Sequence, residues 1–185
     1  MAIFIALIRG INVGGKNIIK MADLKKSFEA LGLSGVQTYI QSGNILFDSA
    51  EKEDDLKQKI EKKIEADFGI AAAATLRTAE ELDALMKNCP FQEEEIRAAE
   101  TASGVESLYA ALLSQAPSAA DIDILNRYKA ENDRFHVSGR DIYLLFRHSV
   151  RDSKLAGNLQ KLSAPATMRN FKTIGKLVEM GKHKK

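Results

Sequence analysis

Residues 3–8, Ile-Phe-Ile-Ala-Leu-Ile, are apolar at every position. A strand with one wet face alternates polar and apolar side chains, so an unbroken run of this length marks a strand covered on both faces. One cover is supplied by the helices that follow in the pattern. The other is expected to come from the second half of the chain.

After this strand, Leu24, Phe28 and Leu31 recur at helical spacing and Gly32 stops the helix. Val36, Thr38 and Ile40 alternate with Gln37, Tyr39 and Gln41, as in a half-exposed strand. Ser42-Gly43-Asn44 turns the chain into Ile45-Leu46-Phe47, making a hairpin. Ser49 is the expected cap of a helix striped by Leu56, Ile60, Ile64 and Phe68, which Gly69 ends. Residues 70–77 then read as a strand. The order strand, helix, strand, strand, helix, strand is the ferredoxin-like unit. Thr78-Ala79-Glu80-Glu81 opens a further helix with a capping box, closed at Cys89-Pro90.

The same order returns more faintly. Residues 108–113 form a strand, and Pro117-Ser118 starts a helix with Ile122, Leu125 and Tyr128. Residues 135–137 and 142–146 flank a turn at Ser138-Gly139-Arg140-Asp141. Residues 153–162 are expected to form one helix through Leu155, Leu159 and Leu162. For a fourth strand only residues 164–167 offer themselves, and they contain Pro165. The last helix carries Phe171, Ile174, Leu177 and Val178, with Thr167 as its expected cap and Arg169, Lys172 and Lys176 along one face. The expected fold is therefore α+β: two ferredoxin-like (βαββαβ) subdomains packed together, the second diverged, plus a C-terminal helix. Residues 1–91 make the first subdomain with its extra helix, 92–104 an acidic connector, and 105–185 the second with the terminal helix. The tail 181–185 is expected to be solvated and frayed.

The loop after the first strand, Arg9-Gly10-Ile11-Asn12-Val13-Gly14-Gly15-Lys16-Asn17, combines three glycines, two cations and two amides. Glycines let backbone N–H groups approach a ligand closely, and Arg9 and Lys16 add positive charge, so its chemistry suits anions. It is not a Walker A loop, because Asn17 stands where the hydroxyl residue belongs. In a ferredoxin-like sheet the first and second strands run parallel, so this loop and the hairpin at Gln41-Ser42-Gly43-Asn44 emerge at one edge. A tight crossover and an ordinary turn explain the same residues without a ligand.

These two segments, with Pro90-Phe91, residues 142–144, Ser153-Lys154-Leu155 and residues 167–173, resemble the family called domain of unknown function 1697. That likeness covers essentially the whole chain and implies two ferredoxin-like subdomains, but no biochemical activity. The family pattern carries Thr where Met168 stands and Trp where Phe171 stands. The resemblance leaves Ser153, Lys154, Arg169 and Asn170 as the matching polar set in the second half, and with Thr167 they join the candidate ligand site.

Catalytic signals are poor. Cys89 is the only cysteine, which excludes an internal disulfide and a cysteine metal cluster; His136, His148 and His183 lack metal spacing. No nucleophile or metal site is implied, while any cofactor is unknown and whether the chain is an enzyme stays open. A net charge of +2 permits an anionic ligand without indicating nucleic acid. The opening run lacks a charged leader and is too short to span a membrane, so the chain is expected in the cytoplasm. The leading expectation is a phosphate-bearing small molecule, such as a nucleotide, at the loop edge. RNA binding on an RRM-like sheet and self-association through the edge strand at residues 36–40 are the alternatives. The oligomeric state is not legible.

Overall fold

A computed structural model describes residues 1–184, which divide into two compact units. One comprises Met1–Ala84 with the chain from Gly175 onward; the other is Leu85–Ile174. The first unit contains β1 (Ala2–Arg9), α1 (Met21–Ala30), β2 (Ser34–Tyr39), β3 (Asn44–Ser49), α2 (Glu53–Phe68) and β4 (Ala73–Thr78). Its sheet runs β2-β3-β1-β4, with every neighbouring pair antiparallel. After α3 (Ala79–Lys87) and α4 (Glu93–Ser103), the second unit adds β5 (Leu108–Leu113), α5 (Ala119–Tyr128), β6 (Asp133–Ser138), β7 (Asp141–Phe146), α6 (Lys154–Gly157) and β8 (Ala166–Asn170). Its sheet runs β6-β7-β5-β8 in the same sense, and α7 (Phe171–His183) ends the described chain. Both sheets are ferredoxin-like.

Alternation along β1 splits its apolar run as expected. Phe4, Ala6 and Ile8 pack with Leu24 and Phe28 of α1 and Leu56, Ile60 and Ile64 of α2. Phe4 stacks on Phe47, whose ring meets the edge of Phe28. Ile5 and Leu7 point to the other face, yet both are fully buried, as is Leu46 beside them. In the second unit Ala111, Leu113, Phe146 and Leu125 form the matching core.

Strand register relates the units residue by residue. Across the first sheet one row reads Gln37, Leu46, Ile5, Arg77. Across the second it reads His136, Tyr143, Ala110, Arg169. Arg77 and Arg169 each donate from Nη1 to the carbonyl of the preceding residue, Leu76 at 2.7 Å and Met168 at 3.0 Å. Each is followed by the residue that caps the next helix. The Thr78 Oγ1 accepts from the Glu81 N–H, and the Asn170 Oδ1 accepts from the Thr173 N–H at 2.8 Å. An identity between the halves invisible by element order is plain in the register.

Several expectations need correction. Ser49 does not cap α2: its hydroxyl accepts from the Glu51 N–H in a local turn, and Lys52 occupies the cap position. The stretch 92–104 is mostly helix, started by the Gln92 N–H donating to the Glu95 carboxylate and ended by Gly104 in the left-handed region. Residues 153–162 are not one helix. A short α6 ends at Gly157 and a 3-10 turn, Leu159–Lys161, follows, though Leu155, Leu159 and Leu162 are buried as the spacing required. The fourth strand of the second half begins after Pro165 and continues to Asn170, so Thr167 lies within β8 and Arg169 is on a strand. The tail is not frayed through Lys184. Its ammonium is buried and donates to Asp48 at 2.9 Å, against the Gly35 irregularity of β2.

Candidate functional site

The crossover after β1 and the β2–β3 bend do meet. The Ile8 N–H donates to the Gly43 carbonyl at 2.8 Å, continuing the β1–β3 ladder past its last paired residue. Beyond that point a small hairpin leaves the sheet. Gly14 and Gly15 sit at its tip with φ of +59° and +73°, and Val13 and Lys16 bridge below them. Positive φ at both central residues is what a tight hairpin turn demands and what glycine supplies. The neck is closed by the Asn12 N–H donating to the Asn17 carbonyl at 3.1 Å, and by the Asn17 amide donating to the Gly10 carbonyl at 2.8 Å.

Asn12 is the joint between the two bends. Its Oδ1 accepts from the Ile19 N–H at 2.8 Å, and its Nδ2 donates to the Ile19 carbonyl at 3.0 Å. The same nitrogen donates to the Gln41 carbonyl at 2.9 Å. Asn44, fully buried, donates to the Tyr39 carbonyl and to the Ser42 hydroxyl and so fixes the shape of the second bend. The three asparagines therefore build the edge. Their amides, expected at a ligand, are engaged in holding the two bends.

What the edge presents outward is different. Gly10, Gly14, Gly15, Lys16 and Asn17 are exposed, and space for a Cβ is open at all three glycines. Arg9 ends β1, half-buried, on the face turned away from α1 and α2. Gly43 is the exception. A Cβ there would lie 2.9 Å from the Ile11 Cδ1 and 3.1 Å from the Ile8 Cβ, and its φ is +78°. Ile11 is buried in the first core, so Gly43 is where the loop is pinned to the sheet. Gly43→Ala is expected to cost about 2 kcal/mol, from left-handed strain plus overpacking, measured as a lower denaturation midpoint at unchanged m-value.

The two units supply an internal comparison for this edge. The equivalent bond in the second unit, the Leu113 N–H to the Arg140 carbonyl at 3.0 Å, marks the same point on the scaffold. From there the chain reaches α5 through Ser114 to Ser118, five residues, whereas β1 reaches α1 through Gly10 to Lys20, eleven. The hairpins differ the same way: Gly139-Arg140 joins β6 to β7, while Ile40 to Gly43 joins β2 to β3. One topology closes both units, so the added length at the first unit's edge is not demanded by the fold.

The remaining predicted residues lie in the second unit and do not cluster there. Ser153 is buried; its hydroxyl caps α6 by accepting from the Ala156 N–H at 3.1 Å and donates to Asp133 at 3.2 Å. Lys154 beside it is exposed. Thr167 is buried in β8. Asn170 is a helix cap, and burial pushes the Arg169 guanidinium down to about 10, still charged near neutrality. Asp133 on β6 and Arg169 on β8 occupy opposite edges of the sheet, with β7 and β5 between them.

A serine, a histidine and an aspartate do converge here, which spacing did not reveal. His148 Nε2 lies 2.7 Å from one oxygen of the fully buried Asp133, while the Ser153 hydroxyl donates to the other. The order is wrong for catalysis. Both partners point at the carboxylate, and no hydrogen bond joins Ser153 to the imidazole that would have to take its proton. The cluster ties β6 to the segment before α6. Burial raises the Cys89 thiol above its ordinary range, which disfavours the thiolate. Among the described residues no group of three His, Cys, Asp or Glu side chains is placed to hold a metal ion. No helix among them is long and apolar enough to cross a membrane.

The family model described as "Protein of unknown function (DUF1697)" matches residues 1–143. No curated protein matches the chain. Among solved structures, the conserved bacterial protein SP0830 from Streptococcus pneumoniae is similar with a TM-score of 0.69. It is 24% identical, and the alignment covers 97% of this chain and 98% of that one. At that identity the likeness speaks for the fold alone.

Proposed function

The chain belongs to the DUF1697 family, and from that premise we propose that it binds a phosphate-bearing or other anionic small ligand at the edge formed by residues 9–20 and 40–44. The observation that carries this reading is the enlarged crossover. On a scaffold whose second copy closes in five residues, the first unit spends eleven and holds Gly10, Asn12, Gly14, Gly15 and Asn17 at positive φ. Long, ordered, strained loops on a rigid sheet are where binding groups concentrate. Exposed glycine backbone offers N–H groups to an anion, and Arg9, Lys16 and Lys20 bring charge with no carboxylate between residues 9 and 22.

RNA recognition in the manner of an RRM gains less support. It needs exposed aromatics on the central strands, and Phe4 and Phe47 are both spent in the core against α1 and α2.

A thermal-shift series with inorganic phosphate, pyrophosphate and adenosine nucleotides tests the proposal, because a ligand that binds the native state raises Tm. Wild type is expected to respond to at least one of them. Arg9→Ala combined with Lys16→Ala is expected to abolish the response with little change in the unliganded Tm. An undiminished response in the double variant removes the loop from the site.

A further inference from the structure

Residue 40 is in the wrong conformation for its side chain. Ile40 has φ of +48° and is one of only three non-glycine residues at positive φ among the described residues; the others are Asn12 and Asn17. Asparagine tolerates the left-handed region, but a β-branched residue there is a true outlier. Burial does not compensate, since Ile40 is 49% exposed. Turn chemistry would choose glycine or asparagine, and core packing has no use for the side chain.

Ile40 is not alone. Among the described residues five large hydrophobic side chains are exposed, and three belong to this edge: Val13 at 67%, Ile18 at 66% and Ile40. Single exposed aliphatics need no explanation, but a group of them around one loop does. The Asn12 amide nitrogen holds the Ile19 and Gln41 carbonyls at 3.0 and 2.9 Å, which puts Ile18 and Ile40 each one residue from the same atom. Val13 follows Asn12 directly. The backbone at Val13, Ile18 and Ile40 is therefore gathered around the Asn12 side chain, and these exposed aliphatic residues share the edge with Arg9, Lys16 and Lys20.

We infer that the ligand is a phosphate ester carrying an apolar group, with Val13, Ile18 and Ile40 as the contacts for that group. This rests on the anion-binding reading above and narrows its ligand class. Positive charge without a balancing carboxylate selects the phosphate end; the three aliphatic side chains give the other end a surface that inorganic anions cannot use. Ile40 is a specificity-determining residue, held in a strained conformation because contact with the ligand, not the fold, requires it.

Two phosphate esters separate the sources of that chemistry, hexyl phosphate for an alkyl chain and adenosine 5′-monophosphate for a flat base, with inorganic phosphate as the reference. Calorimetric titration of the full chain is expected to show one or both esters binding at least about tenfold tighter than inorganic phosphate, since each methylene removed from water contributes several-fold. Ile40→Asn is expected to raise Tm by about 2 °C by relieving strain, while shrinking that preference to about threefold or less. Val13→Ser with Ile18→Ser narrows it without the stability gain. If inorganic phosphate binds and neither ester binds tighter, this inference is wrong and the anion site stands. If none of the three binds, both fall.

Discussion

Asn12→Ala is expected to lower stability by about 3 kcal/mol and to eliminate ligand binding at the loop edge. The side chain makes hydrogen bonds to the Ile19 N–H, the Ile19 carbonyl and the Gln41 carbonyl, at a position with φ of +54°. Each neutral bond contributes about 1 kcal/mol, and alanine in the left-handed region adds about 1 kcal/mol of strain, partly relieved as the loop rearranges. The larger consequence is geometric. The Asn12 amide ties the crossover to the Gln41 backbone, so its loss frees the hairpin that carries Val13 to Lys16 to move apart from Ile40 to Gly43. Chemical denaturation reads the first effect. Proteolysis within residues 13–18 reads the second, because local unfolding exposes the loop without global unfolding.

Asp121→Ala is expected to cost about 4 kcal/mol and to make the protein less sensitive to acid. Asp121 is buried at the start of α5 and accepts from the Ser118 N–H at 2.9 Å, the Ser163 N–H at 2.8 Å and the Ser163 hydroxyl at 2.6 Å. Burial alone would raise its pKa, but the bonds from Ser163 and Ser118 outweigh it and hold the carboxyl at about 2, below the ordinary 3.8. A carboxyl whose folded pKa is depressed stabilises the fold above its unfolded pKa and loses that contribution as pH falls through the folded value. The wild type should therefore lose about 2 kcal/mol between roughly pH 5 and pH 2 through this group, because each tenfold difference in proton affinity between the folded and unfolded chain is worth about 1.4 kcal/mol. In Asp121→Asn that part of the slope disappears, although some hydrogen bonds remain. An unchanged acid slope would show that the serines do not hold the charge.

The parts of the fold legible in the sequence are those written in local pattern. The apolar run at residues 3–8 needs cover on both faces, and Ile5 and Leu7 are buried as fully as Ala6. The capping box at Thr78 starts a helix where its spacing said, and the helix expected at Pro117-Ser118 starts there too, through a box between Ser118 and Asp121 that the structure reveals. What escaped was set by tertiary partners. Residues 166–170, Ala-Thr-Met-Arg-Asn, have little strand character and follow a proline; they become an edge strand because β5 offers an unpaired side. Lys184 looks like any tail lysine until Asp48 receives it. Gly157 and Asn158 interrupt a leucine stripe that periodicity alone reads as continuous.

The edge itself was half legible. Glycines, asparagines and cations marked Arg9 to Asn17, and topology brought Gln41 to Asn44 beside them. The division of labour was not visible, because which amides turn inward depends on Asn12 reaching Gln41 across the sheet. Ile18 was overlooked, and Ile40 was read as an apolar position of the half-exposed strand, whereas β2 ends at Tyr39 and Ile40 stands exposed in the left-handed region. An isoleucine ahead of Gln-Ser-Gly-Asn was nonetheless a signal, an apolar residue where turn chemistry has no need of one.

The central claim is that residues 9–20 and 40–44 form one anion-binding edge. Titrating uniformly 15N-labelled protein with inorganic pyrophosphate, and following backbone amide shifts, tests it most directly. Saturable shifts concentrated at Gly10, Gly14, Gly15 and Lys16, with smaller ones at residues 40–43, are the expected result. Saturable shifts centred on any other segment, or none at this edge, would contradict it.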